Sequence, residues 1–364
     1  MPKSPKKKFI FVVQGEGRGH MTQAIAMHDI LIEEGHEISA VIVGKSKKGD
    51  IPAYFFEHMT CEVTGIDSPG FIKDDLNKSI QLKKTIFFNL FKANKYIRNL
   101  KKIDEIVEKH KPDTIINFYD FLCGVYFLVY RPKINHIVIG HQYLLEHPDF
   151  VFPDKISKTE KLFYFLNTQI TAFRANTRLA LSFKPMEHYL PDRIHVVPPL
   201  LRKEVLALHP SEGDYILVYM VYSGFLDDVI AWHKQNRDVI MHIFTDKKDI
   251  IDEQILNDTL TLHKLNDVKF LQLMNNCKAY ASTAGFESVC EAMYLGKPVL
   301  MVPPEGHFEQ MCNALDACLA GAGIQSNQFH IEKLLNYLPH YHKQKTSQFR
   351  TWVQSAKSEI LKYL

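Results

Sequence analysis

Two stretches of the chain, about 270 residues apart, carry residue types from which a reaction centre can be built. The first reads Gly15-Glu16-Gly17-Arg18-Gly19-His20 and falls between a strand-like run and a helical pattern. Free backbone N–H groups at such a helix start face an anion, and the glycines also serve the plainer need of a tight turn. His20 stands at the helix entrance, where open α/β sheets place their ligands, and an imidazole there can act as a general base. Asp120 lies just past a second predicted strand at the same sheet edge. It either holds the far nitrogen of the imidazole or caps the next helix.

The second stretch runs from Ser282-Thr283-Ala284-Gly285-Phe286-Glu287 through Glu291 to Gly296-Lys297-Pro298. A strand ends at a small-residue turn, and the following helix aims its first N–H groups at a phosphate. Glu291 on that helix can accept both hydroxyls of a ribose, each charged hydrogen bond contributing roughly 1.5–3 kcal/mol. The plainer reading of Glu291 is an exposed helix residue. A nicotinamide site is disfavoured, because the first loop is spaced GxGxG and not GxGxxG. The later strand also ends Ile42-Val43-Gly44-Lys45 without the acid that would hold a ribose.

These residues need a scaffold that brings strand ends together. Phe9 to Gln14, Thr22 to Glu34 and Glu37 to Val43 predict a strand, helix, strand unit. The pattern recurs at Asp113 to Phe118 and Ile134 to Ile139, which favours a parallel sheet covered on both faces. His195 to Leu200, stiffened by Pro198 and Pro199, and the polar stretch to Gly213 read as an interdomain connection. Strands are then expected at Tyr215 to Met220, Val239 to Phe244, Val268 to Phe270, Ala279 to Ser282 and Pro298 to Val302, with a last helix in 345–364. The expected fold is α/β with two Rossmann-like doubly wound domains, 1–197 and 214–344, joined by a linker at 198–213 and facing an interdomain cleft.

Composition agrees with two full cores: 46% of the 364 residues are hydrophobic and 23% charged. No apolar run approaches the roughly 20 residues needed to span a bilayer. The apolar stretch behind the basic start is too short for a secretory signal, so a cytoplasmic protein is expected. The six cysteines show no CxxC pair or zinc spacing. Residues 1–210 hold 30 Lys and Arg against 23 Asp and Glu, whereas 211–364 hold 14 against 18, so the first half suits an anionic partner. Two basic, aromatic-rich stretches, 82–102 and 155–178, are candidates for peripheral contact with the inner membrane surface. Their alternative is core packing with a solvated opposite face. No nucleic-acid reading motif is present. His141 and His147 follow the strand Ile134 to Ile139 and are candidates for touching an acceptor.

The order of small turn, Gly285, Glu291, Gly296-Lys297-Pro298, Glu309-Gln310 and Asn313-Ala314 resembles the donor-binding segment of inverting GT-B glycosyltransferases. It is similar to both the bacterial peptidoglycan N-acetylglucosaminyltransferases and the UDP-glucuronosyl and plant enzymes. Gly17-Arg18-Gly19-His20 with Thr22-Gln23-Ala24 resembles the same families' glycine loop. The resemblance implies an acceptor-binding first domain, a nucleotide-sugar-binding second domain and a final helix returning to the first. It implies His20 as the base, Asp120 as its orienting acid and Glu291 on the ribose. Gly17, Gly19, Thr283, Ala284 and Gly285 would lie beside the diphosphate, with Ser223 in a second phosphate loop. Phe270 would flank the base, and Glu309 and Gln310 would bind hydroxyls of the donor sugar. Thr283 replaces the histidine or arginine of those families, so phosphate charge would rest on backbone amides and helix ends.

The implied reaction moves a sugar from a UDP-sugar to an acceptor hydroxyl, a lipid-linked or cell-envelope glycan being the acceptor class suggested. No metal or cofactor is expected, in keeping with the lack of a DxD motif. A UDP-sugar epimerase or hydrolase on the same fold, and a non-catalytic nucleotide-sugar-binding protein, are the alternatives.

Overall fold

Phe9 to Val13 are fully buried without alternation, the pattern of a strand covered on both faces. In the computed structural model, which describes residues 5–45, 51–70, 92–220, 223–247 and 250–364, that run is β1 (Lys8–Gln14). It is followed by α1 (Gly19–Glu33), β2 (Glu37–Lys45), α2 (Ala53–His58), β3 (Val63–Asp67), α3 (Ala93–His110), β4 (Thr114–Phe118), α4 (Phe121–Val129) and β5 (Asn135–Gly140). A 3-10 turn at His141–Glu146, α5 (Lys158–Thr171), β6 (Thr177–Leu181) and β7 (Ile194–Val197) complete the first half. Its seven strands are all parallel, in the order β3-β2-β1-β4-β5-β6-β7. Connections leave β1 and β4 in opposite directions, so a crevice opens between their carboxyl ends.

After α6 (Lys203–Leu206), the second half contains β8 (Ile216–Met220), α7 (Leu226–Gln235), β9 (Met241–Thr245), β10 (Glu253–Asn257), β11 (Leu260–Lys264), α8 (Asp267–Asn276) and β12 (Ala279–Ser282). Then come α9 (Phe286–Tyr294), β13 (Val299–Met301), α10 (Phe308–Ala320), β14 (Gly323–Gln325), α11 (Ile331–Tyr337), α12 (Lys343–Gln354) and α13 (Ala356–Ile360). Strand order is β10-β11-β9-β8-β12-β13-β14, parallel except for the β10–β11 pair, with the switch point between β8 and β12. The fold is therefore α/β with two Rossmann-like domains.

Two expected features differ. Val268 to Phe270 is not a strand but the start of α8, because Asn266 caps it by accepting from Lys269 N–H. His195 to Val197, read as the start of the connection, belongs to β7 at the sheet edge. Its backbone is paired with β6 on one side, and the prolines begin where pairing ends.

One apolar cluster fills the face of the first sheet under α3 and α4, and another the face of the second under α7 and α11. The opposite faces share one continuous cluster, running from Phe11 and Phe118 through Phe183 and Leu200 to Phe286 and Leu217. The two domains thus meet over packed side chains. α12 bridges them: Arg350 Nε donates to Tyr294 O at 2.6 Å in the second domain, and Trp352 Nε1 to Ser182 O at 2.9 Å in the first. Lys357 on α13 pairs with Glu33 at the end of α1 and with Glu34, which caps it.

Of the basic stretches, 82–91 lies outside the described residues. Its continuation in α3 buries Tyr96, Leu100, Ile103 and Val107 and leaves Lys95, Arg98, Lys101 and Lys102 in solvent. α5 exposes Leu162, Phe163 and Leu166. No helix among the described residues is long and apolar enough to cross a membrane.

Candidate functional site

The chain leaves β1 where Gly15 N–H donates to Gly44 O at 2.6 Å, and a Cβ on Gly15 would collide with that carbonyl. Gly17 then turns with φ +83°, a left-handed conformation that favours glycine. The turn delivers Gly19 and His20 as the first residues of α1. Across the cleft, Ala284 holds φ +60° and Gly285 caps α9, so the two helices present their N-termini to each other. Approach is close: a Cβ on Gly19 would lie 3.2 Å from Glu287 Cγ.

His20 is partly buried at this meeting point, its ring stacked on Tyr119 with centroids 5.8 Å apart. Nδ1 lies 3.2 Å from Gln23 Oε1, and Nε2 lies 3.2 Å from the amide nitrogen of Gln142. An amide oxygen only accepts and an amide nitrogen only donates, which places the imidazole proton on Nδ1 and a lone pair on Nε2. Both glutamines are tied to the other domain, Gln23 Nε2 donating to Glu287 Oε1 at 2.7 Å and Gln142 Nε2 to Glu309 Oε1 at 2.9 Å. Burial lowers the His20 pKa to about 4, against a smaller upward pull from its bond to Gln23, so the ring is neutral near pH 7. Burial likewise pushes Glu287 up to about 8 and Glu309 up to about 7, while their glutamine partners act the other way.

Asp120 does not orient His20. Its Oδ1 accepts from Cys123 N–H at 3.0 Å, capping α4, and its Oδ2 from Ser68 Oγ at 2.9 Å, so the cap reading holds. Burial raises its pKa to about 6. His141 and His147 are both buried, each with one ring nitrogen hydrogen-bonded to a backbone carbonyl. His141 Nδ1 lies 2.7 Å from Leu181 O with its ring stacked on Phe286, and His147 Nε2 lies 3.0 Å from Glu187 O. The neighbour of His141, Gln142, is the residue that reaches His20.

Glu291 is 3% exposed, which removes the reading of a solvated helix residue. Its Oε1 accepts from Arg202 Nε at 2.9 Å, and Arg202 Nη1 is 3.8 Å from Asp267 Oδ2. A carboxylate buried this deeply needs such a partner, and no motif in the connection marked Arg202 as its source. Phe270 packs against Tyr219 and Phe244 at the end of the second sheet, with centroids 5.4 and 5.3 Å away. Ser223 opens a single 3-10 turn after β8. Arg18 of the first loop lies over the Tyr54 ring at 5.9 Å.

Several buried polar atoms around α9 and α10 have no partner: Thr283 Oγ1, Glu287 Oε2, Gln310 Oε1 and Asn313 Oδ1. Each such atom costs about 1–3 kcal/mol unless a ligand meets it, and since all but the Thr283 hydroxyl are accepting oxygens, their concentration at one helix-lined seat suits a polar guest that brings hydroxyl donors. A cavity of 340 Å³ lined by Phe127, Lys133 and Arg174 opens at the opposite, amino-terminal edge of the first sheet and shares none of these residues. Among the described residues no cluster of three or more His, Cys, Asp and Glu has the arrangement of a metal site.

A family model described as "Glycosyl transferase family 1" matches residues 7–340. A UDP-N-acetylglucosamine–N-acetylmuramyl-(pentapeptide) pyrophosphoryl-undecaprenol N-acetylglucosamine transferase of Clostridioides difficile (strain 630) is 24% identical over 343 residues, covering 87% of this chain and 76% of the relative. Among solved structures, the glycotransferase of kitacinnamycin superposes with a TM-score of 0.66 at 12% identity, covering 99% of this chain and 98% of that one. An Arabidopsis thaliana glycosyltransferase complexed with UDP-L-rhamnose gives 0.61 at 14% identity, covering 98% and 95%. At these identities the structural likeness is one of fold.

Proposed function

The chain belongs to glycosyl transferase family 1, and from that premise we propose that it moves a sugar from a UDP-sugar to an acceptor hydroxyl, with inversion and without a metal. The observation that carries this reading is the Nε2 lone pair of a neutral His20, held where two helix N-termini face each other across the cleft. An acceptor hydroxyl donates to Nε2 in place of the Gln142 amide. Its oxygen then attacks the anomeric carbon from the face opposite the nucleotide, and the proton passes to Nε2, an effect of about 100- to 10,000-fold. The departing diphosphate lies against the amides of Thr283, Ala284 and Gly285 at the start of α9, with Gly17, Gly19 and the Arg18 charge opposite and Ser223 at the second loop. Glu291, steadied by Arg202, accepts the ribose hydroxyls. Phe270 lies near the base, and Glu309 and Gln310 meet the donor sugar.

On this reading residues 1–197 bind the acceptor and 214–344 the nucleotide sugar. A lipid-linked or envelope acceptor is supported by the apolar residues exposed on α5 beside Lys155 and Lys158, which suit peripheral contact with an anionic membrane face. It is supported further by the undecaprenol-linked substrate in the name of the clostridial relative.

Calorimetric titration of UDP without divalent metal, with NAD as control, tests the donor site. Wild type is expected to bind UDP and not NAD, with Glu291→Ala weakening binding about tenfold or more. His20→Ala is expected to keep UDP affinity and to release UDP from UDP-sugars about 100- to 10,000-fold more slowly. Wild-type protein that fails to bind UDP overturns the reading.

A further inference from the structure

Among the described residues no carboxylate hydrogen-bonds to the His20 ring, and its geometry must be set by something else. The two groups on its ring nitrogens are amides, and each amide is held by a glutamate of the other domain. Left alone, the Gln23 amide can turn end for end, offering N–H in place of oxygen to Nδ1 and so moving the lone pair away from Nε2. The carboxyl of Glu287 prevents this, because its Oε1 accepts from Gln23 Nε2 at 2.7 Å and fixes which end of the amide faces the ring. Gln23 and Glu287 are 3% and 7% exposed, so water does not compete for either.

We propose that Gln23 and Glu287 form a cross-domain positioning relay for His20: Glu287 of the second domain orients the Gln23 amide, and the amide selects the imidazole tautomer with its lone pair on Nε2. The proposal rests on the reading of His20 as the base. Its consequence is that the base is set for proton transfer only while the two domains are together, since α1 carries Gln23 and α9 carries Glu287. Neither residue takes the proton. Both act through His20, and substitution alters which ring nitrogen is protonated before any substrate binds.

The test is nitrogen NMR of the full-length protein labelled at histidine, with the His20 signals identified by their loss in His20→Ala. Wild type is expected to show His20 protonated at Nδ1. Glu287→Ala and Gln23→Leu are each expected to lower the ratio of Nδ1–H to Nε2–H tautomer about tenfold, the loss of one buried hydrogen bond. The two disruptive variants lie on opposite sides of the cleft, so a folding failure in one leaves the other to decide. An unchanged ratio in the folded variant or variants overturns the relay, and does so even where His20→Ala abolishes UDP release. A shifted ratio with undiminished UDP release in His20→Ala keeps the relay and overturns the base.

Discussion

The carboxyl of Glu287 sits in the first turn of α9, where the helix N-terminus favours a negative charge, yet burial against the first domain pushes its pKa up to about 8. The folded protein therefore keeps a proton that the unfolded chain gives up near the ordinary value of 4.5. The stability this contributes is fully present below about pH 4.5 and drains as pH rises towards about 8. Glu287→Gln carries no such proton, so its melting temperature is expected to gain on wild type between about pH 5 and pH 8, by roughly 2–4 °C for each kcal/mol. A difference that stays flat over that range means Glu287 is ionised throughout. Glu309 titrates in the same window, and taking the difference between two proteins that both contain it cancels its effect. At this scale the sequence singled out His20 and Glu291 as candidates by their place beside glycine turns. It did not pair Gln23 with Glu287, because the two are 264 positions apart and an amide in a helix has no signature of its own. Asp120 was located at the right strand end but assigned the wrong neighbour, since Ser68 reaches it from the loop after β3 and the start of α4 takes its other oxygen.

Elements were easier to read than contacts. The uninterrupted apolar run Phe9 to Val13 announced β1, because a strand covered on both faces needs one, and shorter apolar runs marked β4 and β5. The run Val268-Lys269-Phe270 was too short to separate strand from helix, and the cap at Asn266 decided it. What no periodicity could show is how closely helices approach. Gly124 in α4 lies so near α5 that a Cβ there would overlap the Ile170 carbonyl. Gly124→Ala is expected to cost about 1–3 kcal/mol in urea unfolding, although alanine is the better helix former. A stabilised variant would show that the two helices separate freely.

The whole molecule depends on α12, whose Trp352 bonds to Ser182 while Arg350 holds Tyr294 on the other side. Trp352→Ala is expected to lower stability by about 1–3 kcal/mol and to speed proteolysis within 198–213, as the halves spend more time apart. Unchanged cleavage there would mean that the apolar contact alone keeps them together. That two domains exist was legible from the repeated strand and helix pattern and the proline-stiffened connection. Their packed contact was not, because Phe183, Phe286 and Phe308 look like ordinary core residues of their own halves. The chain crosses between the domains twice, once through the connection that bears Arg202 and again at α12. A body hung at two points keeps one rotation, about the line through both, and loses every other freedom. A turn about that line would leave Arg202, on one of the pivots, near Glu291 and would part Gln142 from Glu309, which are joined across the gap itself.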